Sequence, residues 1–332
     1  MAHSQLASLA VLMLATVAAS GSLVARQTVQ GTAGCGKPHD SGYKTNDGAG
    51  FTITSSGGTR RYNFRVPNNY DPDRPYALIF DYHGHNSNRD TQYHLTRYDQ
   101  YATGRNDFLV VYPQGLKDDE DEPAWEGAPY ARPDVSDLQF TADLLAKFRA
   151  NYCVDDARVY ASGKSNGGGF VATLACSPQG APFAAFAMAA AALYTDNLAP
   201  GSPTYRACVP PRARVPVLEA HGTADTTIPY AGNATKGVPS VLAWLGTWAG
   251  RDGCSGSQVT HEYSSYGTVV WSCPGYPGIV SGYRLDGYGH CWPGNNPEQS
   301  KANCGNPPVD FTPVVLTFFN SWDINGYIGV SV

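Results

Sequence analysis

The sequence predicts an α/β protein in which helices cover both faces of a mostly parallel sheet. Two nearly continuous apolar runs, at residues 76–82 and 108–112, are typical of strands buried on both faces. Residues 134–151 repeat apolar side chains every three or four positions, as an amphipathic helix does. Because segments of these two kinds alternate along the chain, parallel strands joined by crossover helices are expected.

The remaining elements follow the same alternation. Residues 60–66 alternate polar and apolar side chains and are predicted to form an edge strand. A polar segment at 88–104 is compatible with a helix. Other apolar or β-rich runs lie at 157–162, 183–191, 215–220, 269–272 and 280–285, and helices are expected at 168–175, after residue 239 and at 312–322. Thr312 is the expected N-cap of the last helix, with Pro313 in its first turn.

The N-terminal twenty residues resemble a secretory signal peptide. Residues 6–19 are apolar, are followed by small residues and are too few to span a bilayer comfortably. Cleavage is expected near residue 20, or as late as residue 25, and residues 27–332 are expected to form one domain. A membrane anchor is the alternative, but no later stretch is apolar enough to favour it.

Composition narrows the classes of partner. The net charge is −5 and only 15% of the residues are charged, so neither nucleic acid nor a membrane is an expected partner. The 21 tyrosines, 36 glycines and 24 prolines make the chain rich in loops and polar without being ionic. This composition suits a secreted, extracellular protein that acts on neutral material such as carbohydrate.

The eight cysteines are an even number behind a signal peptide and predict disulfides. Connectivity cannot be deduced, although a Cys254–Cys273 pair could close a loop between a helix end and a strand. The absence of a CxxC pair argues against zinc, and no metal is expected. The acidic run at 118–122 is predicted to be a solvated loop, with a calcium site as the alternative, because its acids lack the EF-hand spacing. The sequon at Asn233 predicts glycosylation if it is exposed.

Residues 163–167, Gly-Lys-Ser-Asn-Gly, form a G-x-S-x-G pattern between a predicted strand and a predicted helix. This context indicates a nucleophile elbow, a strained turn that exposes the serine hydroxyl. The flanking glycines fit because such a turn leaves no room for a Cβ atom. Ser165 is therefore the candidate nucleophile.

Serine needs a neighbouring base, and in folds with this elbow the partners follow in the order acid, then histidine. Asp225 lies in the loop after the strand at 215–220, and its alternative interpretation is a turn-forming aspartate. His290 lies in a glycine-rich loop after the strand at 280–285 and is expected to act as base. Asp225 would then orient the imidazole and stabilise its charged form. His221 is expected to brace the loop of the acid.

Acyl transfer also needs N–H donors at the oxygen that becomes anionic. The backbone N–H of Asn166 is one candidate, since it directly follows the nucleophile. For the second donor we expect the N–H of His85, with Gly84 next in line, in the loop at 81–86. An ordinary turn after a strand is the alternative, and a metal bound by the two imidazoles of that loop lacks a third ligand.

Six segments together resemble the secreted fungal feruloyl esterases of carbohydrate esterase family 1, in the type C and D group. They are AGCGK (33–37), LIFDYHGH (78–85), VVYPQG (110–115), YCVDDARVYASGKSNGGG (152–169), HGTADTTIPY (221–230) and GYGHCWPG (287–294). The resemblance implies an α/β-hydrolase fold and supports Ser165, Asp225 and His290 as a triad. It also implies that the chain hydrolyses ester-linked cinnamate groups of plant cell-wall polysaccharide without a cofactor.

The expected activity is that of a serine esterase acting on feruloyl, and also p-coumaroyl, esters of arabinoxylan or pectin. Acetylxylan esterase and polyhydroxybutyrate depolymerase are the alternative enzymes, and a binding protein without activity is the alternative from another class. A flat acyl group needs an apolar slot with a polar end. The candidate contacts near the triad or on a covering loop, each of which could instead be core, are Tyr230, Tyr288, Trp292, Trp125 and Tyr130.

Overall fold

A computed structural model describes residues 31–102, 107–294, 299 and 301–329. The predicted signal peptide, residues 1–20, lies outside this range. The strands of the described chain, in order, are β1 (Gly42–Lys44), β2 (Phe51–Ser55), β3 (Gly58–Val66), β4 (Tyr76–Tyr82), β5 (Leu109–Pro113), β6 (Leu116–Lys117), β7 (Pro123–Ala124), β8 (Val154–Lys164), β9 (Ala185–Ala189), β10 (Val217–Gly222), β11 (Gln258–Glu262), β12 (Tyr266–Cys273), β13 (Tyr276–Leu285), β14 (Trp322–Asp323) and β15 (Gly326–Tyr327).

Six α-helices accompany these strands within the same residues. They are α1 (Arg89–Thr96), α2 (Asp137–Asn151), α3 (Asn166–Ala175), α4 (Val241–Arg251), α5 (Lys301–Cys304) and α6 (Phe311–Asn320). None of the helices in the described parts of the chain is long and apolar enough to cross a membrane.

One large sheet organises the described chain, with the strand order β1-β3-β5-β4-β8-β9-β10-β13-β12-β11 and β2 paired to β3. The six central strands, from β5 to β13, pair in parallel. The strands outside them pair antiparallel. The mostly parallel sheet predicted from the sequence is therefore confirmed, with antiparallel extensions at both ends.

The prediction of an edge strand at residues 60–66 is wrong, because β3 has neighbours on both sides. Its alternating polar residues suggested solvent on one face. Instead, Arg60 is fully buried and forms an ion pair with Asp137 at 2.5 Å, while Arg65 donates to the carbonyl oxygen of Phe108. Polar side chains with buried partners thus imitate the pattern of an exposed face.

The last helix also begins differently from the prediction. Its N-cap residue is Asp310, and Thr312 lies inside the first turn. The hydroxyl of Thr312 donates to the carbonyl oxygen of Thr96 at 2.7 Å. That hydroxyl therefore ties α6 to the end of α1 instead of capping its own helix.

All eight cysteines are paired, as Cys35–Cys153, Cys176–Cys208, Cys254–Cys273 and Cys291–Cys304. The third pair is the one that the sequence favoured, and it joins the end of α4 to the end of β12. The other three pairs could not be deduced, because their sequence separations of 118, 32 and 13 positions follow no common pattern that would select among the possible pairings.

Candidate active site

Ser165 lies in the turn between β8 and α3 with φ of +58° and ψ of −122°. This conformation is rare for a residue with a side chain, and the surrounding structure must hold it. The backbone N–H of Ser165 donates to Ala189 at 3.0 Å. Its carbonyl oxygen accepts from the N–H groups of Gly169 and Ala192 at 2.9 and 3.0 Å. These three bonds fix the turn and leave the hydroxyl free for other partners.

The two glycines of the pentapeptide are required by close backbone contacts. A Cβ atom on Gly167 would lie 2.2 Å from the carbonyl oxygen of Tyr82, and one on Gly163 would lie 2.6 Å from the backbone of Gly167. Neither separation is possible without moving the backbone. The turn is therefore sharp for the reason that the sequence indicated.

His290 reaches Ser165, the candidate nucleophile, from the loop after β13. Its Nε2 atom lies 2.7 Å from the hydroxyl oxygen of Ser165, although 125 residues separate them. The loop is held by the disulfide from Cys291 to Cys304 and by the N–H of Gly289, which donates to the carbonyl oxygen of Cys304. The imidazole is thus anchored on both sides of its own position in the chain.

Asp225 lies in the loop after β10, and its carboxylate is fully buried. Its Oδ2 atom lies 2.7 Å from Nδ1 of His290. Its Oδ1 atom accepts from the N–H groups of Thr227 and Ile228, both at 2.9 Å. Burial acts to raise the pKa of Asp225, but hydrogen bonds with His221 and His290 outweigh it and hold that pKa well below its ordinary range.

The parallel sheet explains why these three side chains meet. The strands that precede them, β8, β10 and β13, run in the same direction, and β10 pairs with β13 so that Gly222 lies beside Leu285. Loops that follow such strands collect at one edge of the sheet. The structure therefore brings Ser165, Asp225 and His290 into one hydrogen-bonded row.

The imidazole of His290, the candidate base, is suited to remain neutral. Burial lowers the pKa of His290 below the ordinary value of an imidazole. The hydrogen bond with Asp225 opposes that shift, whereas the positive charge of Lys164 adds to it. A neutral imidazole whose Nδ1–H is held by a carboxylate leaves Nε2 able to accept the proton of the serine hydroxyl.

The predicted oxyanion loop packs against Ser165. A Cβ atom on Gly84 would lie 3.3 Å from that of Ser165. Nε2 of His83 accepts from the N–H of Gly115 at 3.0 Å, so its Nδ1–H donates to the carbonyl oxygen of Gly84 at 2.7 Å. In a trans peptide the following N–H, that of His85, points away from that carbonyl. Burial lowers the pKa of His83 to about 4, which keeps this arrangement neutral.

The backbone N–H groups of Asn166 and His85 make no hydrogen bond to another described residue. The N–H of Asn166 is the first of α3, where helix geometry leaves donors without internal partners. The side chains of both residues are occupied: Oδ1 of Asn166 accepts from the N–H of Trp125, and the imidazole of His85 bonds Asp118 at 2.8 Å. Their roles as oxyanion donors stay predictions.

Three of the five aromatic residues expected to contact a substrate are buried, which favours the alternative of core packing for Trp125, Tyr288 and Trp292. Each is 1% exposed or less. The indole N–H of Trp125 donates to the carbonyl oxygen of His83, and the hydroxyl of Tyr288 donates to the carbonyl oxygen of Trp292. These buried side chains stabilise the loops of the site through hydrogen bonds to the loop backbone. Tyr130 and Tyr230 are only partly buried and stay candidates.

A small apolar cluster that the sequence analysis missed lies beside Ser165. It contains Ala128, Ala131, Ala192, Tyr194, Ile228 and Val238, with Tyr130 and Leu198 packed against it. Ala192 and Ile228 are bonded through their N–H groups to Ser165 and Asp225, which places the cluster next to the row. Its members come from four separate segments, so no local pattern in the sequence indicated it.

A second feature that sequence reasoning underestimated lies behind Asp225. His221 is fully buried and bonds Glu219 at 2.8 Å, while its other ring nitrogen lies 3.3 Å from Asp225. A signal existed in the sequence: Glu219 and His221 are two apart in an otherwise apolar strand, so they share one face. Sequence reasoning expected His221 to brace this loop, and it does contact the acid directly.

The remaining predicted positions lie away from the row. Oδ1 of Asn233 accepts from Thr235 and from the N–H of Lys236, and the side chain is partly exposed, so its glycosylation stays a prediction. Asp118 accepts from the N–H groups of Glu120 and Glu122, which makes the acidic run a closed turn. In the described residues, no group of three or more His, Cys, Asp or Glu side chains is arranged to hold a metal ion.

Comparison with known proteins supports the resemblance seen in the motifs. The chain is 28% identical to feruloyl esterase D of Neurospora crassa over 186 residues, which is 53% of this chain and 57% of the relative. It is 26% identical to feruloyl esterase C of Emericella nidulans over 239 residues, which is 70% of this chain and 76% of the relative. The chain thus spans little more than half of the first relative. No protein-family model matches the chain.

A solved structure establishes the fold. An acetyl xylan esterase from Aspergillus awamori superposes with a TM-score of 0.54 at 16% identity, over 74% of this chain and 95% of the other. Together with the parallel sheet and the elbow, this similarity confirms the predicted α/β-hydrolase fold. The predicted similarity to fungal feruloyl esterases is confirmed as well.

Proposed function

We propose that this protein is a secreted serine esterase that hydrolyses feruloyl esters of plant cell-wall polysaccharide through an acyl-enzyme. The observation that carries the proposal is the row Ser165–His290–Asp225, with both connecting distances at 2.7 Å. The similarity to fungal feruloyl esterases supports the choice of reaction and of acyl group.

In the proposed reaction, Ser165 attacks the ester carbonyl while Nε2 of His290 takes the proton of its hydroxyl. The same nitrogen then returns the proton to the leaving sugar alcohol, and the acyl group stays on the serine. Water, activated by His290 in turn, releases the acid. Asp225 keeps the ring in the required tautomer and stabilises the imidazolium.

We propose the N–H groups of Asn166 and His85 as the donors to the tetrahedral oxygen, with that of Gly84 next in line. The contact of Gly84 with Ser165 and the anchoring of its carbonyl by His83 support this assignment. Preorganised donors of this kind contribute a large part of the catalysis of acyl transfer.

The apolar cluster beside Ser165 supports an aromatic acyl group over acetate. The partly buried ring of Tyr130 packs against this cluster, in which Tyr194 and Ile228 are buried, and it offers the flat apolar surface that a cinnamate ring requires. An acetyl group would not need such a surface. We therefore place feruloyl esters first, p-coumaroyl esters next and acetylated xylan as the competing substrate, with arabinoxylan or pectin as the polymer.

Secretion is part of the proposal. Four disulfides form and persist in an oxidising compartment, which supports an extracellular location. Glycosylation of Asn233 would be compatible with the same route.

The test compares methyl ferulate with 4-nitrophenyl acetate, using the wild-type protein and the Ser165→Ala variant. Turnover of methyl ferulate is expected, and the variant should lose kcat on the order of 10⁴-fold or more. Cleavage of the acetate ester alone would refute the cinnamate assignment. Retention of both activities by the variant would refute the mechanism.

A further inference from the structure

We propose that His221 is a buried imidazolium, paired with Glu219, that positions the catalytic carboxylate and compensates its charge. His221 is thus a positioning residue that acts through Asp225 and does not touch the substrate. Its effect on the reaction rests on the proposed esterase function, whereas its charge state is a property of the folded protein alone.

The argument begins with the groups around the ring. Nδ1 of His221 lies 2.8 Å from Oε1 of Glu219. Nε2 lies 2.8 Å from the carbonyl oxygen of Ile228 and 3.3 Å from Oδ2 of Asp225. A backbone carbonyl can only accept, and a carboxylate does the same when it is ionised. The ring satisfies all three oxygens only when both of its nitrogens carry a proton.

The neutral forms of the ring fit these surroundings less well. With a proton on Nδ1 alone, the lone pair of Nε2 would face the oxygens of Ile228 and Asp225 in a site without solvent. With a proton on Nε2 alone, Glu219 would have to be protonated and donate to Nδ1. A second negative charge close by, on Asp225, favours moving that proton to the ring, because a cation between two carboxylates lowers the energy of both.

The charges that face His221 come from several elements. Glu219 lies on the same strand, Asp225 on the following loop and His290 on the loop after β13. Lys164, at the end of β8, acts on Asp225 and His290. Burial acts to lower the pKa of His221, but the hydrogen bonds with Asp225 and Glu219 outweigh it and raise that pKa to about 10. Burial is the largest influence on Glu219 and raises the pKa of its carboxyl group, while the hydrogen bonds that Oε1 makes with His221 and with the N–H of Ala191, at 3.0 Å, oppose that shift.

A charged His221 affects the protonation of His290 through the carboxylate that the two rings share. Oδ2 of Asp225 is shared between His221 and His290, so part of its charge is compensated from the side away from the nucleophile. A carboxylate whose charge is partly compensated stabilises the doubly protonated, positively charged form of His290 less strongly. The imidazole of His290 then stays neutral, and able to act as base, further into the acid range. Asp225 itself also stays ionised there.

The direct test is nitrogen NMR on the wild-type protein. Long-range proton–nitrogen spectra of uniformly ¹⁵N-labelled protein distinguish a doubly protonated ring from either neutral form, and the His221→Gln variant assigns the signal. We expect both ring nitrogens of His221 to be protonated at neutral pH and to remain so into the alkaline range. A ring with one unprotonated nitrogen at neutral pH would overturn the proposal.

The kinetic test compares His221→Gln with His261→Gln, the same substitution at an exposed histidine of β11. Glutamine can still donate to the carbonyl of Ile228 but carries no charge. We expect the acid limb of the kcat/KM profile to move to higher pH in His221→Gln and to stay in place in the control. An unchanged limb in a folded His221→Gln protein would contradict the proposed effect on His290.

A second variant keeps the proposal testable if His221→Gln does not fold. Glu219→Gln keeps an acceptor for Nδ1 but removes one counter-charge, so His221 should lose its second proton at a lower pH than in the wild-type protein. A His221 titration that is unchanged in Glu219→Gln would remove Glu219 from the proposal. Absence of esterase activity in the wild-type protein would refute the proposed function while leaving the NMR result to decide the charge of His221.

Discussion

Oδ2 of Asp225 lies 2.7 Å from Nδ1 of His290, although the two residues belong to different loops and are 65 positions apart. The other oxygen of the carboxylate is held by two backbone N–H groups of its own loop. The carboxylate therefore has one orientation, and that orientation determines which nitrogen of His290 carries the proton.

Asp225→Asn should abolish most of the activity without unfolding the protein. An amide can donate to Nδ1, which would move the ring proton to Nε2 and remove the base. We expect kcat on methyl ferulate to fall by about 10⁴-fold, as in other serine hydrolases that lose this carboxylate. Asp286→Asn, an exposed acid that pairs with Arg284, is the matched control and should stay within about twofold of the wild type in kcat.

Lys164→Gln should shift the pH dependence of the reaction. Lys164 lies in the elbow, burial lowers its pKa to about 8, and below that pH its positive charge disfavours protonation of His290. Without the charge, the pKa of His290 rises, so kcat/KM is lost at a higher pH as the solution is acidified. The profile of Lys236→Gln, in which an exposed lysine is replaced, should coincide with the wild type. A shift of the Lys164→Gln limb toward lower pH would show that the sign is wrong.

Gly167→Ala should destabilise the fold, because the added Cβ would lie 2.2 Å from the carbonyl oxygen of Tyr82. We expect the free energy of unfolding to fall by at least about 2 kcal/mol, measured by chemical denaturation. Gly246→Ala is the matched control: this glycine lies inside α4 with no atom within 4 Å of an added Cβ. It should gain about 0.5–1 kcal/mol from helix propensity. Equal effects of the two substitutions would contradict the close packing of the elbow.

Removal of the Cys291–Cys304 disulfide should impair catalysis more than stability alone explains. The double variant Cys291→Ser/Cys304→Ser opens a loop of 13 residues that carries His290 at its base. The double variant Cys254→Ser/Cys273→Ser opens a loop of 19 residues remote from the row. Both should lose about 3 kcal/mol of stability, since the two loops are of similar length. Only the first should also lose kcat at a temperature where both proteins are folded, and equal kcat values in the two would rule out a role for this disulfide in positioning His290.

The sequence by itself determined the central sheet and the candidate residues of the row. Ser165, Asp225 and His290 could be found because the elbow has a local signature and because each of the three follows a recognisable apolar strand. In a parallel sheet the ends of such strands meet at one edge, so a local pattern carried information about a distant contact.

Only the tertiary structure decided which polar residues are buried and which aromatic residues reach the surface. Arg60 is buried because Asp137, 77 positions away, supplies its partner, and Trp125 is covered because Tyr82 and Phe170 pack around it. The contact of His221 with Asp225 likewise depends on the path of a loop. Burial and pairing of this kind are set by segments remote in the chain, and the free energy of a polar side chain depends on whether that remote partner is present.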